Sequence, residues 1–176
     1  ISTRGLIFKE AYADISKKAL RAIFKVRKDL RTVSKPSPNV LLKLYDAMVL
    51  PILDYGSEIW CKGTEIDILE KVQLKFLKML LQVNNNTCTV AVYGETGRFP
   101  LIVRHKYNIV KYWEKVLSYS NKSVVKIMYN HLLLLKDLGA SNWLSYVHKI
   151  LRECKMEDLW KHQCCTVNDL KKVQTT

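Results

Sequence analysis

Apolar side chains recur at intervals of three and four along most of this chain, and that period limits its fold more than any single residue does. Ile15, Ala19, Ala22, Ile23, Val26 and Leu30 form one such set. Leu69, Val72, Phe76, Leu80 and Val83 form a second, and Ile102, Ile109, Trp113, Val116 and Leu117 a third. At 100° per residue each set lies along one side of an α-helix. Only 6 Gly and 4 Pro stand among the 176 residues, little material for the turns of an all-β domain. The expected fold class is therefore all-α, an irregular bundle of about six or seven helices. A hydrophobic content of 48% with 26% charged residues excludes a disordered basic tail. No window approaches 18 uninterrupted apolar residues, and the leucine run at 132–135 is stopped by Lys136-Asp137, so neither a membrane span nor a membrane partner is expected.

Local signals place the helices. The first is predicted over 7–32. Ser37 followed by Pro38 starts the next, with Pro51 expected to end or kink it. Thr64 and Asp67 resemble a capping box, and Lys71, Lys75 and Lys78 late in that helix complement its dipole. Asn84-Asn85-Asn86 should end it. Residues 87–100, with Gly94 and Gly97, read as a short helix plus a turn; they lack the Lys-Ser/Thr of a phosphate-binding loop. Further helices are predicted over 101–119, over 123–138 with Gly139 as its stop, over 143–154 capped by Asn142 or Ser141, and over 167–173. Three regions follow: 1–83 helical, 84–100 a turn-rich connector, and 101–176 helical.

Charge narrows the partners. The formal net charge is +13, unevenly spread. Residues 1–35 carry a net +7, residues 36–70 a net −4, and residues 98–126 hold 7 basic groups against Glu114 alone. Lys18, Arg21, Lys25 and Lys28 share one helical line, with Lys17 beside it, opposite the apolar stripe. Arg104, Lys106 and Lys111, with Lys115, are candidates for the outer side of the 101–119 helix; the first three join the candidate contacts. Two basic patches are the footprint of a polyanion, so these eight residues are the candidate nucleic-acid contacts. The plainer alternative is a pair of solvated helix faces.

No catalytic chemistry is legible. Two-metal catalysis needs clustered carboxylates, and the chain has no Asp-Asp pair; Asp54 with Glu58, and Glu157 with Asp158, lack a suitable context. His105, His131, His148 and His162 fall in no nucleophile motif. The chain alone is expected to be no enzyme, without catalytic residues and without cofactors. Five cysteines, an odd number without a secretory signal, suggest reduced thiols inside the cell. Cys154, His162, Cys164 and Cys165 raise the question of zinc, but adjacent Cys164 and Cys165 suit tetrahedral ligation badly, so no metal is expected. Phe24, Phe76, Trp113, Trp143 and Trp160 are expected mostly in the core, while Tyr107 and Tyr112 are candidates to stack on bases.

The stretch Leu44-Tyr45-Asp46-Ala47-Met48-Val49-Leu50-Pro51-Ile52-Leu53-Asp54-Tyr55-Gly56-Ser57-Glu58-Ile59-Trp60 resembles the region just downstream of the polymerase palm in reverse transcriptases of non-LTR (LINE-type) retrotransposons. Lys18 to Phe24 resembles the first thumb helix of those enzymes. Residues 68–78 and the segment Val92 to Leu101, with its Tyr-Gly-Glu-Thr-Gly-Arg-Phe-Pro-Leu, resemble segments that follow in animal elements. The similarity covers about Gly5 to Trp160. It implies a thumb and connector region without the palm's aromatic-x-Asp-Asp active site, gripping the backbone of an RNA–DNA or DNA duplex. It implies too a nuclear location and a parent chain supplying the palm, in keeping with a sequence that begins at Ile1 rather than Met. Two other readings stand beside it: a helical protein–protein module binding an acidic partner, and a decayed element copy without activity.

Overall fold

The computed structural model describes residues 8–30, 36–60 and 66–163. Among the described residues the chain is all-α, with nine helices and no strand. Seven of them have seven residues or more; the two extra elements are single short turns that an apolar period cannot reveal. The predicted helix at 167–173 and the capping Thr64 lie outside the described residues.

Two compact units divide the chain, residues 1–56 with 63–101, and residues 57–62 with 102–176. In the first unit α1 (Lys9–Asp29) buries Tyr12, Ile15, Ala19, Ile23 and Val26 on one side. α2 (38–54) begins after Ser37 in extended conformation with Pro38 at its first position, although the Ser37 hydroxyl makes no capping bond. Pro51, expected to end or kink this helix, does not end it; the helix is distorted in the turn before the proline instead. A proline has no N–H and its ring presses on the carbonyl four residues back. The helix widens to a π turn over Tyr45–Val49, where the Leu50 N–H donates to the Tyr45 carbonyl, and then continues over Leu50–Asp54. α4 (Asp67–Leu81) buries Leu69, Val72, Phe76, Leu77 and Leu80 against α1. It ends at a left-handed Gln82, two residues before the asparagine run. α5 (Thr89–Thr96) includes Gly94, and Gly97 at φ 61° supplies the left-handed residue that closes it.

Polar groups knit this unit together. The Tyr45 hydroxyl donates to Gln73 Oε1 at 2.6 Å, and Gln73 Nε2 donates to the Phe99 carbonyl at 2.9 Å. Arg98 Nη2 donates to Asp46 Oδ2 at 2.7 Å, and the Leu101 N–H donates to Glu70 Oε2 at 2.7 Å. Segments 44–60, 68–78 and 92–101, distant in sequence, thus meet in one network.

The second unit begins with α3 (Ser57–Trp60), a single turn between α2 and α4 in sequence. Its partners explain its place. Asn108 Nδ2 donates to Ser57 Oγ at 3.0 Å, Trp143 Nε1 donates to the Glu58 carbonyl at 2.8 Å, and Trp60 meets His105 edge-on at 5.8 Å. α6 (Leu101–Ser118) buries His105, Ile109, Val110, Trp113 and Val116. α7 (Val124–Asp137), α8 (Trp143–Glu153) and α9 (Glu157–His162) follow. α7 ends in a Schellman motif: Gly139, at φ 87°, donates to the Lys136 carbonyl and Ala140 to the Leu135 carbonyl. Asn142 caps α8 through a capping box with Ser145. Trp160 on α9 stacks with His148, at 4.8 Å, and with Trp113, at 6.0 Å.

Among the described residues no helix is long and apolar enough to cross a membrane.

Candidate functional site

The basic line of α1 follows from its apolar one. Once Ile15, Ala19, Ile23 and Val26 turn inward, helical geometry carries Lys17, Lys18, Arg21, Lys25 and Lys28 to the other side, within an arc of about 100°. All five are exposed. Lys18 pairs with Asp14 at 2.8 Å, and that hydrogen bond holds the Asp14 carboxyl below its usual range. The other four make no ion pair among the described residues. Phe24, expected in the core, is 53% exposed instead. It stands between the buried stripe and the basic arc, about 20° outside the edge of that arc at Lys17.

Sequence reasoning gave Lys71, Lys75 and Lys78 only a dipole role. On α4 they form a row at i, i+4 and i+7, and with Leu74 and Asn85 they line an open groove of about 350 Å³. Lys78 Nζ donates to the Asn85 carbonyl at 2.5 Å. Because α1 packs on α4, Lys75 Nζ lies 5.3 Å from the centre of the Phe24 ring. The two basic rows therefore adjoin at Phe24, whose ring lies at the join. The spacing of the α4 lysines was legible in the sequence; that their row borders α1 was not, since it depends on which faces pack.

The remaining candidates belong to the second unit and are not alike. Arg104 and Lys111 are exposed on one side of α6, in line with Lys115. Lys106 lies two residues off that line and donates to Glu153 Oε2 at 2.7 Å, which holds the Glu153 carboxyl below its usual range. Its charge is thus engaged in an ion pair within the protein. Lys111 lines a groove of about 430 Å³ with Glu58, Asn108, Tyr112, Glu114 and Lys115, a surface of mixed sign. Tyr112 is half-buried and meets Trp143 edge-on at 5.7 Å.

Among the described residues no group of three His, Cys, Asp or Glu side chains is placed to hold a metal ion. Cys154 and His162 are described, and Cys164 and Cys165 lie outside the described residues. Burial pushes the Cys154 thiol up, whereas the N–H groups of Ala91 and Val90 at the start of α5 hold the exposed Cys88 thiol down. What the α1–α4 surface offers is fixed positive charge and N–H donors, groups that can bind phosphate oxygens.

No protein-family model, curated protein or solved structure matches the chain.

Proposed function

We propose that this chain is the thumb and connector region of a non-LTR retrotransposon reverse transcriptase, and that it grips the backbone of a template–primer duplex without taking part in catalysis. The observation that carries the reading is the joined basic surface of α1 and α4: Lys17, Arg21, Lys25 and Lys28 on one helix, Lys71, Lys75 and Lys78 on the other. Two adjacent rows of cations, all exposed but the half-buried Lys78, match a strand of phosphates better than they match a compact acidic site. The sequence resemblance supports the same reading, because the three segments that carry it interlock through Tyr45, Gln73 and Phe99, through Asp46 and Arg98, and through Glu70 and Leu101. The polymerase palm of the parent chain would supply the chemistry.

Phosphate contacts release counterions, so binding should be insensitive to sequence and strongly sensitive to salt. With four to six phosphates neutralised, log K against log[salt] should fall with a slope of about −4 to −5. Fluorescence anisotropy with a primed RNA–DNA duplex measures it. A slope near zero, no binding at low salt, or a preference for an acidic peptide over the duplex would overturn the proposal. Reversing Lys18, Arg21, Lys25 and Lys28 to Glu should weaken binding to all sequences alike and leave the helical circular dichroism unchanged.

A further inference from the structure

The inward side of α7 is well anchored. Tyr129 is buried, its hydroxyl accepts from Trp113 Nε1 at 3.1 Å and donates to Gln163 Oε1, and Asn142 Nδ2 donates to the Leu132 carbonyl at 2.7 Å. The opposite side of α7 and its C-terminal turn is apolar and open. Val124 is 74% exposed, Leu134 60% and Leu138 83%, and Ile127, Met128 and Leu135 are exposed as well. Such a stripe on a protein surface marks an interaction site.

We propose that this stripe pairs with the same stripe on a second copy of the chain, the two α7 helices running antiparallel about a two-fold axis at His131. The spacing is the argument. The apolar positions read the same in both directions from His131, at three, four and seven residues on either side. An antiparallel pair therefore sets Val124 against Leu138, Ile127 against Leu135 and Met128 against Leu134, each twice, with His131 against its own copy. At 100° per residue the members of each pair lie on opposite flanks of the stripe, so they interleave rather than collide. A closed two-fold interface demands such self-complementarity. The stripe contains no Lys, Arg, Asp or Glu, so phosphates find no cation on it. Two stripes of this length hide on the order of 1,000 Å² in total, the floor for a specific interface and suited to reversible association.

Sedimentation velocity of the 176-residue chain tests this. The expected result is a monomer–dimer equilibrium with a dissociation constant of about 10–500 µM, tightened about tenfold by His131→Leu, which removes the two polar rings from the seam. Ile127→Lys and Leu135→Glu, both at exposed positions, should each weaken self-association at least tenfold without changing the circular dichroism. Mixing those two variants should restore dimers, because only the antiparallel register sets 127 against 135. A chain that stays monomeric at about 1 mM overturns the proposal, as does open-ended oligomerisation, partition onto anionic vesicles in place of dimers, or dimers that survive Ile127→Lys.

Discussion

Glu70 shows how a single residue acquires a property its spacing never announced. Burial pushes its carboxyl up to about 7 even though the Leu101 N–H donates to it. The unfolded carboxyl titrates near 4.5, so folding favours the protonated form. That stabilisation is complete below about pH 4.5 and is lost as pH climbs through about 7. Glu70→Gln keeps the acceptor and never ionises. It should leave stability unchanged at pH 4.5 and raise it by about 1–2 kcal/mol at pH 8, a value discounted because the side chain is only partly buried. Urea unfolding at the two pH values measures it. Gln73 is the opposite case, a buried amide satisfied at both ends. Gln73→Leu strands the Tyr45 hydroxyl and the Phe99 carbonyl and should cost about 2–3 kcal/mol in the same assay. The thiols differ in accessibility and acidity, so Cys88 should alkylate with iodoacetamide before Cys154, as peptide mass spectrometry would show.

At the scale of the element, helix starts and stops were legible where a side chain bonds locally. Asn142 and Gly139 lay in plain view because a capping carbonyl and a left-handed glycine act within a few residues of themselves. Asn142→Ala should cost about 1 kcal/mol, read as a lower thermal midpoint. Signals that compete were harder to read. Pro51 could end its helix or distort it; a π turn over Tyr45–Val49 lets the helix pass it while Tyr45, Val49, Leu50 and Leu53 stay buried. α4 turns at Gln82, a residue with no special turn preference, two residues before the asparagines. Phe24 was expected in the core as an apolar helical position; its angle on α1 puts it between the buried stripe and the lysines, where it is exposed.

At the scale of the whole molecule, charge is organised by packing. α1 and α4 are neighbours, so lysines some fifty residues apart in sequence form one surface, whereas Lys106 spends its charge on Glu153. The proposed grip then divides unequally among the eight candidates and the α4 row. Lys71, Lys75 and Lys78 changed to Ala should make the salt slope shallower by about 1 for each lysine that meets a phosphate, and Lys106→Ala should scarcely move it. Duplex binding across a salt series decides between them.

The sequence by itself determined the all-α class, most helix bounds and which side of α1 is basic, because these depend on residues three and four apart on the same helix. Only the tertiary structure decided which basic rows adjoin, which cation is neutralised, where Glu70 titrates and which apolar stripe stays open. α7 shows the difference most plainly. Its leucines were legible as apolar from the start, but whether an apolar residue is core or surface depends on the partner packed against it. Residues remote in the chain make that choice: Trp113 and Gln163 engage Tyr129 on one side of α7, and the other side remains exposed.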